Sequence, residues 1–421
     1  MHSPVRLMQT LLSEFSALLA RDFNPIRREV AFKSINNKID VAIGMRRTGK
    51  TSFLIQAIRE LLAQQVSLNQ VLYINFEDER LLPMSAKECG ALLDSFYAIY
   101  PENHEKECYL FLDEIQNVDE WPLVVRRYLD SKKVKIFLSG SSAKLLSKEI
   151  ATSLRGRSIS TEIWPFSFQE YLVGKQVDFP PALMGQKERD LYIKHLSEFL
   201  LVGGFPEVQN LDKNDRRLVL QEYVDTVIFR DIIERHHIKN IPLIKYLVKI
   251  MLQSMSCNIS ISKLLNDFNS QGLRASKNTL YEYLDYIEDV FLAFRIPMYS
   301  ESYRRMQTNL KKTYVVDSGL SFAYSTQLMN NVGRSFENLI YLDLRRQGYE
   351  IYYYKTTDNY EVDFFAQSPE GKFRLFQVVW DVSDKKTYER EMRALKQAEQ
   401  ETGFEGILVD PVHYLDSGVM T

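Results

Sequence analysis

The sequence predicts an α/β protein. A doubly wound parallel sheet carries a phosphate-binding loop, a helical region follows, and a second α/β module closes the chain. Three observations predict this. A short apolar strand runs into a glycine loop and a helix in DVAIGMRRTGKTSFLIQAIRELL, from Asp40. A second apolar strand ends in two acids, Asp113 and Glu114. Near the end, EVDFFAQSPEGKFRLFQVV reads as strand, turn and strand, with Glu361 and Asp363 opening it.

Taken in order, the N-terminal stretch to Phe23 mixes charged and apolar residues and reads as an amphipathic helix, not a signal peptide. Val41–Ile43 is a buried-type strand. The loop Gly44, Met45, Arg46, Arg47, Thr48, Gly49, Lys50, Thr51 fits GxxxxGK[ST] and, with Ser52, is the expected ATP-binding segment; helical periodicity follows through Phe53, Leu54, Ile55 and Ile58. Glycines let backbone N–H groups wrap phosphates, and a helix N-terminus adds its positive end. In such a loop Lys50 reaches the β- and γ-phosphates of ATP, and Thr51 offers a hydroxyl to Mg2+. A second strand, LYINFEDERL, ends near Glu77 and Asp78. The third, from Cys108 to Leu112, places Asp113 to hold the Mg2+ and Glu114 to polarise the attacking water. The fourth, KVKIFLSGSS, ends in Ser139, Gly140, Ser141 and Ser142; a serine there can sense the γ-phosphate or cap a helix. Arg155 and Arg157 flank Gly156, where an arginine could stabilise transition-state charge in cis or across a subunit boundary. Ser167 to Glu170 is a capping box.

Alternating strands and helices imply a parallel sheet with the ligand at the strands' carboxyl ends. Further on, Leu264, Leu265 and Phe268 mark one helix, Gly272 breaks it, and Ser276 caps a second whose apolar face is Leu280, Leu284, Ile287 and Phe291. A following strand makes this winged-helix grammar. From Ser276 to Phe291, however, Lys277 faces four acids, Glu282, Asp285, Glu288 and Asp289, which suits packing better than a phosphate backbone. Arg304, Arg305, Lys311 and Lys312 are the basic residues that a wing could present to DNA.

The 421 residues are too many for one core. A net charge of −2 provides no global field to attract nucleic acid. Cys89, Cys108 and Cys257 form no zinc or disulfide pattern, and no apolar run approaches a membrane span. Cytoplasmic location is the expectation.

The motifs GMRRTGKT, LFLDEIQNVDEW, LSGSSAKLL, LRGR, WPFSFQEYL and VGGFPEV, in this order, resemble the bacterial and archaeal AAA-type ATPases that carry a C-terminal domain of unknown function. The resemblance continues through KKTYVVDSGL and GRSFENLIYLDLRRQGYEIYYY and covers nearly the whole chain. It implies an ATPase core, a small winged-helix element and a C-terminal domain of restriction-endonuclease-like fold. In that fold a helix acid, a strand aspartate and an acid-x-lysine hold Mg2+ and orient water. Here Glu337 and Asp363 match the acids, while Gln377 and Val379 stand where acid and lysine belong. Glu361 could substitute as a ligand, and Lys385 or Lys386 as a displaced lysine. Residues 331–421 hold 11 basic against 16 acidic residues, a poor surface for DNA.

The expected division is an ATPase domain over 1–180, a helical lid or linker over 181–240, a winged-helix-like domain over 241–312 and an inactive nuclease-like domain over 313–421. The expected function is Mg2+-dependent ATP hydrolysis driving a conformational switch. Expected partners are ATP, DNA, a protein bound by the C-terminal domain and a second copy of the chain, with no membrane. The alternatives are a signalling scaffold without DNA contact and an ATP-regulated nuclease.

Overall fold

The computed structural model describes residues 4–20, 26–141, 156–178, 184–325 and 332–417. The chain divides into two compact units, Met1–Trp164 and Pro165–Thr421.

In the first unit, β1 (Ile39–Ile43), β2 (Val71–Asn75), β3 (Cys108–Asp113), β4 (Val134–Gly140) and β5 (Ser158–Glu162) form one sheet in the order β2-β3-β4-β1-β5. All four pairings are parallel. β4 therefore separates β1 from β3, and its register sets Ser139 opposite Ala42. Strands buried on both faces read as continuous apolar runs, and β1 and β3 are buried at every position. Helices α1 (Pro4–Ala20), α2 (Lys50–Ala63), α3 (Ala86–Ile99) and α4 (Trp121–Ser131) accompany the sheet. Leu54, Ile55 and Ile58 of α2 pack against Val71, Tyr73, Tyr109, Phe111 and Phe137, and Phe15 of α1 joins the same cluster. Phe111 and Phe137 stack with centroids 4.4 Å apart. The apolar period read in α2 is thus its sheet-facing stripe.

In the second unit, Ser167 and Glu170 form the expected capping box at the helix Phe168–Gly174. Helices Ile261–Ser270 and Lys277–Asp289 precede β7 (Ala293–Pro297) and β8 (Lys311–Val315). With β6 (Cys257–Ile259) these strands make an antiparallel sheet in the order β6-β8-β7. Asp285 and Glu288, acids of the second helix, bind the buried Arg295 of β7 at 2.8 and 2.5 Å. Two of the helix's excess negative charges are therefore paired with an arginine of the neighbouring strand. A boundary at 312/313 would cut β8, so the expected division between middle and C-terminal domains does not fall there.

The remaining sheet has the order β12-β11-β10-β9, from β9 (Glu350–Lys355), β10 (Glu361–Gln367), β11 (Phe373–Val378) and β12 (Gly406–Val409). β9, β10 and β11 pair antiparallel, whereas β12 joins β11 in parallel after the helix Lys385–Thr402. The expected hairpin is present: Phe365 opposes Leu375, and both pack on Ala394, Leu395 and Ala398 of that helix. No described helix is long and apolar enough to cross a membrane.

Candidate functional site

The loop from Gly44 to Gly49 joins β1 to α2. Gly44 has φ 157°, and a Cβ there would lie 2.2 Å from the Ile163 carbonyl oxygen, so no side chain fits. Gly49 has φ 94°, a left-handed conformation at the helix N-cap that glycine adopts without strain. Thr48 is buried and its hydroxyl donates to the Met45 carbonyl at 2.9 Å, which braces the loop from within. Met45 is buried in the core beneath. Arg46 pairs with Glu77 at 2.7 Å, tying the loop to the end of β2. Arg47 takes φ 67° and is exposed, and Ser52 lies half-buried in the first turn of α2.

Lys50 is buried. Its ammonium donates to the Gly44 and Met45 carbonyls at 3.2 Å each and stands 3.4 Å from Glu114. The exposed Thr51 donates its hydroxyl to Asp113 Oδ2 at 2.7 Å. The P-loop and the two acids, 62 residues apart in sequence at their closest contact, thus converge at the carboxyl ends of β1 and β3. Asp113 is fully buried; burial raises its carboxyl, while hydrogen bonds from Ser139, Thr51 and Tyr73 work in the opposite direction. Burial also opposes ionisation of Glu114, but the Lys50 ammonium, the Gln116 amide and Arg46 together hold it below the usual carboxylate range. Glu114 takes φ 51°, which turns the chain sharply after β3 and leaves its carboxylate facing Lys50.

Three residues of this site are ones the sequence did not single out for it. Tyr73 of β2 donates to Asp113 Oδ2 at 2.9 Å. Arg28 is buried and donates to the Thr48 carbonyl at 2.8 Å and the Trp164 carbonyl at 2.6 Å, bracing the P-loop from outside. Gln116 donates its amide to Glu114. Ser139, read only as one of four polar residues at a strand end, has a definite place: its hydroxyl donates to Asp113 and accepts from the Glu114 N–H at 3.0 Å. Ser141 is buried beside it, while Ser142 and Arg155 lie outside the described residues. Arg157 does not join the site. It precedes β5, its carbonyl accepts from the Ile39 N–H at 2.8 Å, and its guanidinium pairs with Asp130. In a parallel sheet that is the amino end of the strands, about 15 Å from the P-loop at ~3.3 Å per residue. A cis role for Arg157 as a catalytic arginine is therefore corrected by the strand register.

A hydroxyl and a carboxylate 2.7 Å apart, beside a buried ammonium, are the hard oxygen donors and the cation that an Mg2+–triphosphate pair requires. The residues present fit both groups.

A second cluster lies in the C-terminal part. Glu337 from the helix Val332–Arg346, with Glu361 and Asp363 from β10, surrounds one ammonium. That ammonium comes from Lys312 on β8, at 2.9, 3.1 and 2.8 Å respectively. The displaced lysine is neither Lys385 nor Lys386, both exposed at the start of their helix. Nor is Lys312 available to a DNA backbone, since its side chain is 4% exposed. Burial alone would lower the Lys312 ammonium, but Asp363 and Glu337 outweigh it and hold it well above the usual range. Burial, with Asp363 nearby, pushes the Glu337 carboxyl up to about 7.

Sheet, loop and paired acids define the first unit as a P-loop ATPase fold. A family model described as an AAA domain matches residues 36–172, and two described as domains of unknown function, DUF8612 and DUF4143, match 193–330 and 332–413. The chain is 38% identical over 406 residues to the uncharacterized protein MJ1544 of Methanocaldococcus jannaschii, covering 95% of this chain and 87% of that one. It is 30% identical over 369 residues to an uncharacterized protein of Haemophilus influenzae, covering 87% and 88%. The chain belongs to this family of AAA-domain proteins with C-terminal domains of unknown function. Among solved structures, a Walker-type ATPase of Pyrococcus abyssi aligns over 73% of this chain and 99% of that one, at 14% identity and a TM-score of 0.45.

Proposed function

We propose that this chain is a Mg2+-dependent ATPase whose nucleotide state switches a protein interaction made by its C-terminal modules. The observation that carries the reading is the double convergence of Thr51 on Asp113 at 2.7 Å and of Lys50 on Glu114 at 3.4 Å. Family membership supports nucleotide binding, and the paired acids support hydrolysis.

In this reading the backbone N–H groups of Gly44 to Lys50 bind the phosphates, and Lys50 turns from Glu114 towards the β- and γ-phosphates. Thr51 and Asp113 hold the Mg2+, which when bound neutralises charge on the phosphate oxygens. Ser139 and Tyr73 keep Asp113 oriented through hydrogen bonds to its carboxylate. Glu114, released from Lys50, accepts the proton of the attacking water, with Gln116 fixing its side chain. The lid over 181–240, the winged-helix-like region and the C-terminal module transmit the result. A protein partner is favoured over DNA because Lys312 is committed to three carboxylates.

The test is ATP turnover by material of known oligomeric state, with and without duplex and single-stranded DNA. Turnover lost in Lys50→Ala is the expected result. Absence of turnover under all these conditions, or turnover retained in Lys50→Ala, would overturn the reading. Salt-sensitive DNA binding lost on neutralising Arg304, Arg305 and Lys311 would replace the protein partner with DNA.

A further inference from the structure

We propose that Lys312 is the resident cation of the C-terminal carboxylate cluster, and that this module does its work without a divalent metal ion. The restriction-endonuclease-like resemblance implies a Mg2+ held by Glu337, Asp363 and an acid on the next strand. The residues present do not fit that ion. The Lys312 ammonium lies within 2.8 to 3.1 Å of oxygens from Glu337, Glu361 and Asp363, the central position a shared metal ion would take. Mg2+ requires oxygens at about 2.0–2.1 Å in near-octahedral array, so the carboxylates would have to close in on a point already filled.

Two further observations point the same way. Both oxygens of Asp363 are engaged by donors. Oδ1 takes Lys312 at 2.8 Å; Oδ2 takes the Gln377 amide and the Val378 N–H, each at 3.0 Å. Gln377 faces the cluster with its NH2, which also reaches Glu391 at 2.6 Å, because its oxygen accepts the Asp363 N–H at 3.3 Å. That orientation follows from the network, since only the amide oxygen can accept from a backbone N–H. The group standing at the third ligand position is therefore a donor to carboxylates. Lys312 is also anchored: its neighbours on β8, Thr313 and Tyr314, are fully buried, and Tyr314 donates to Glu337 at 2.6 Å. A cavity of about 740 Å3 opens beside the cluster, lined by Glu337, Asp363, Gln377, Trp380, Arg390 and Glu391, among others. Its inner wall is the carboxylate cluster that Lys312 bridges.

The test uses the nucleotide-free full chain and Mn2+ binding followed by electron paramagnetic resonance. Ions held at the P-loop are common to all variants and cancel in the comparison. Wild type and Asp363→Asn are expected to bind the same number of Mn2+. Lys312→Met, which removes the ammonium at similar length, is expected to bind one more, at a site that stays empty in the wild type even at about tenfold higher Mn2+. Lys312→Met/Asp363→Asn should lose it again. If wild type binds one Mn2+ more than Asp363→Asn, or nicks supercoiled DNA with Mn2+ in a manner lost in Asp363→Ala, Lys312 is instead a lysine working beside a metal and the proposal fails. Should Lys312→Met not fold, the comparison of wild type with Asp363→Asn and the nicking assay decide by themselves. ATP turnover is scored separately, so failure here leaves the ATPase reading standing.

Discussion

Replacing Glu114 by Gln separates the two tasks that the proposed mechanism gives to one carboxylate. The side chain keeps its shape but loses its charge. Glu114 stands 3.4 Å from the Lys50 ammonium, and both groups are buried. At an effective dielectric constant near 20 their attraction is roughly 5 kcal/mol gross, and desolvation of the pair returns most of it. Loss of a general base costs about 10²–10⁴ in kcat. Release of Lys50 acts in the other direction, because the phosphates no longer compete with a carboxylate for it. ATP affinity should stay level or tighten, by up to about tenfold if ~1.4 kcal/mol of that competition is net. Single-turnover hydrolysis reads the first effect, and equilibrium binding of a fluorescent ATP analogue reads the second. Turnover within about threefold of wild type, or ATP affinity weakened about tenfold, would refute the assignment of Glu114 as base and of Lys50 as its resting partner.

Arg28→Met should leave the Thr48 and Trp164 carbonyls without the donor that now reaches them, at about 1–3 kcal/mol for each, and weaken ATP binding about tenfold or more although Lys50 is intact; calorimetric titration checks it. Ser139→Ala removes the hydroxyl bridging Asp113 and the Glu114 N–H, so the Mg2+ concentration for half-maximal turnover should rise while ATP affinity without metal stays unchanged. Asp317 is buried, accepts from the Gly204 and Gly319 N–H groups at 2.5 and 2.8 Å, and has its carboxyl pushed by burial up to about 7. Its folded value lies above its unfolded one, so the native state binds the proton more tightly, and stability is lost as pH rises through 7. From pH 6 to pH 8 this single group should cost about 1.4 kcal/mol, read as a lower urea midpoint, with a flatter profile in Asp317→Asn.

The phosphate loop was legible because its chemistry is local: eight consecutive residues, a strand before them and a helix after. Asp113 and Glu114 were legible because an apolar strand ending in acids has its own signature. Tyr73 and Arg28 had none, since a tyrosine within an apolar strand and an arginine in a polar segment fit many environments. Their roles arise only when β2 is laid beside β3 and the chain before β1 passes the P-loop. Arg157 looked catalytic because a glycine flanked by arginines is a local pattern. The parallel register of β5 on β1 then put it at the far end of the sheet.

By itself, then, the sequence determined the ATPase core, the alternation of elements and the carboxylates of both clusters, because all of these depend on residue type and short-range spacing. The tertiary structure decided which strand lies between which, and so which hydroxyl orients Asp113. It also decided the nature of the C-terminal cluster. At the position where the nuclease pattern would place a lysine near Asp363 stands Val379, and Lys385 and Lys386 further on are exposed. The fold supplies Lys312 instead, 51 residues upstream, from a strand of a different sheet. A buried charge must find its counter-charge in space, and adjacency in sequence is only one of the ways in which a chain can bring the two together.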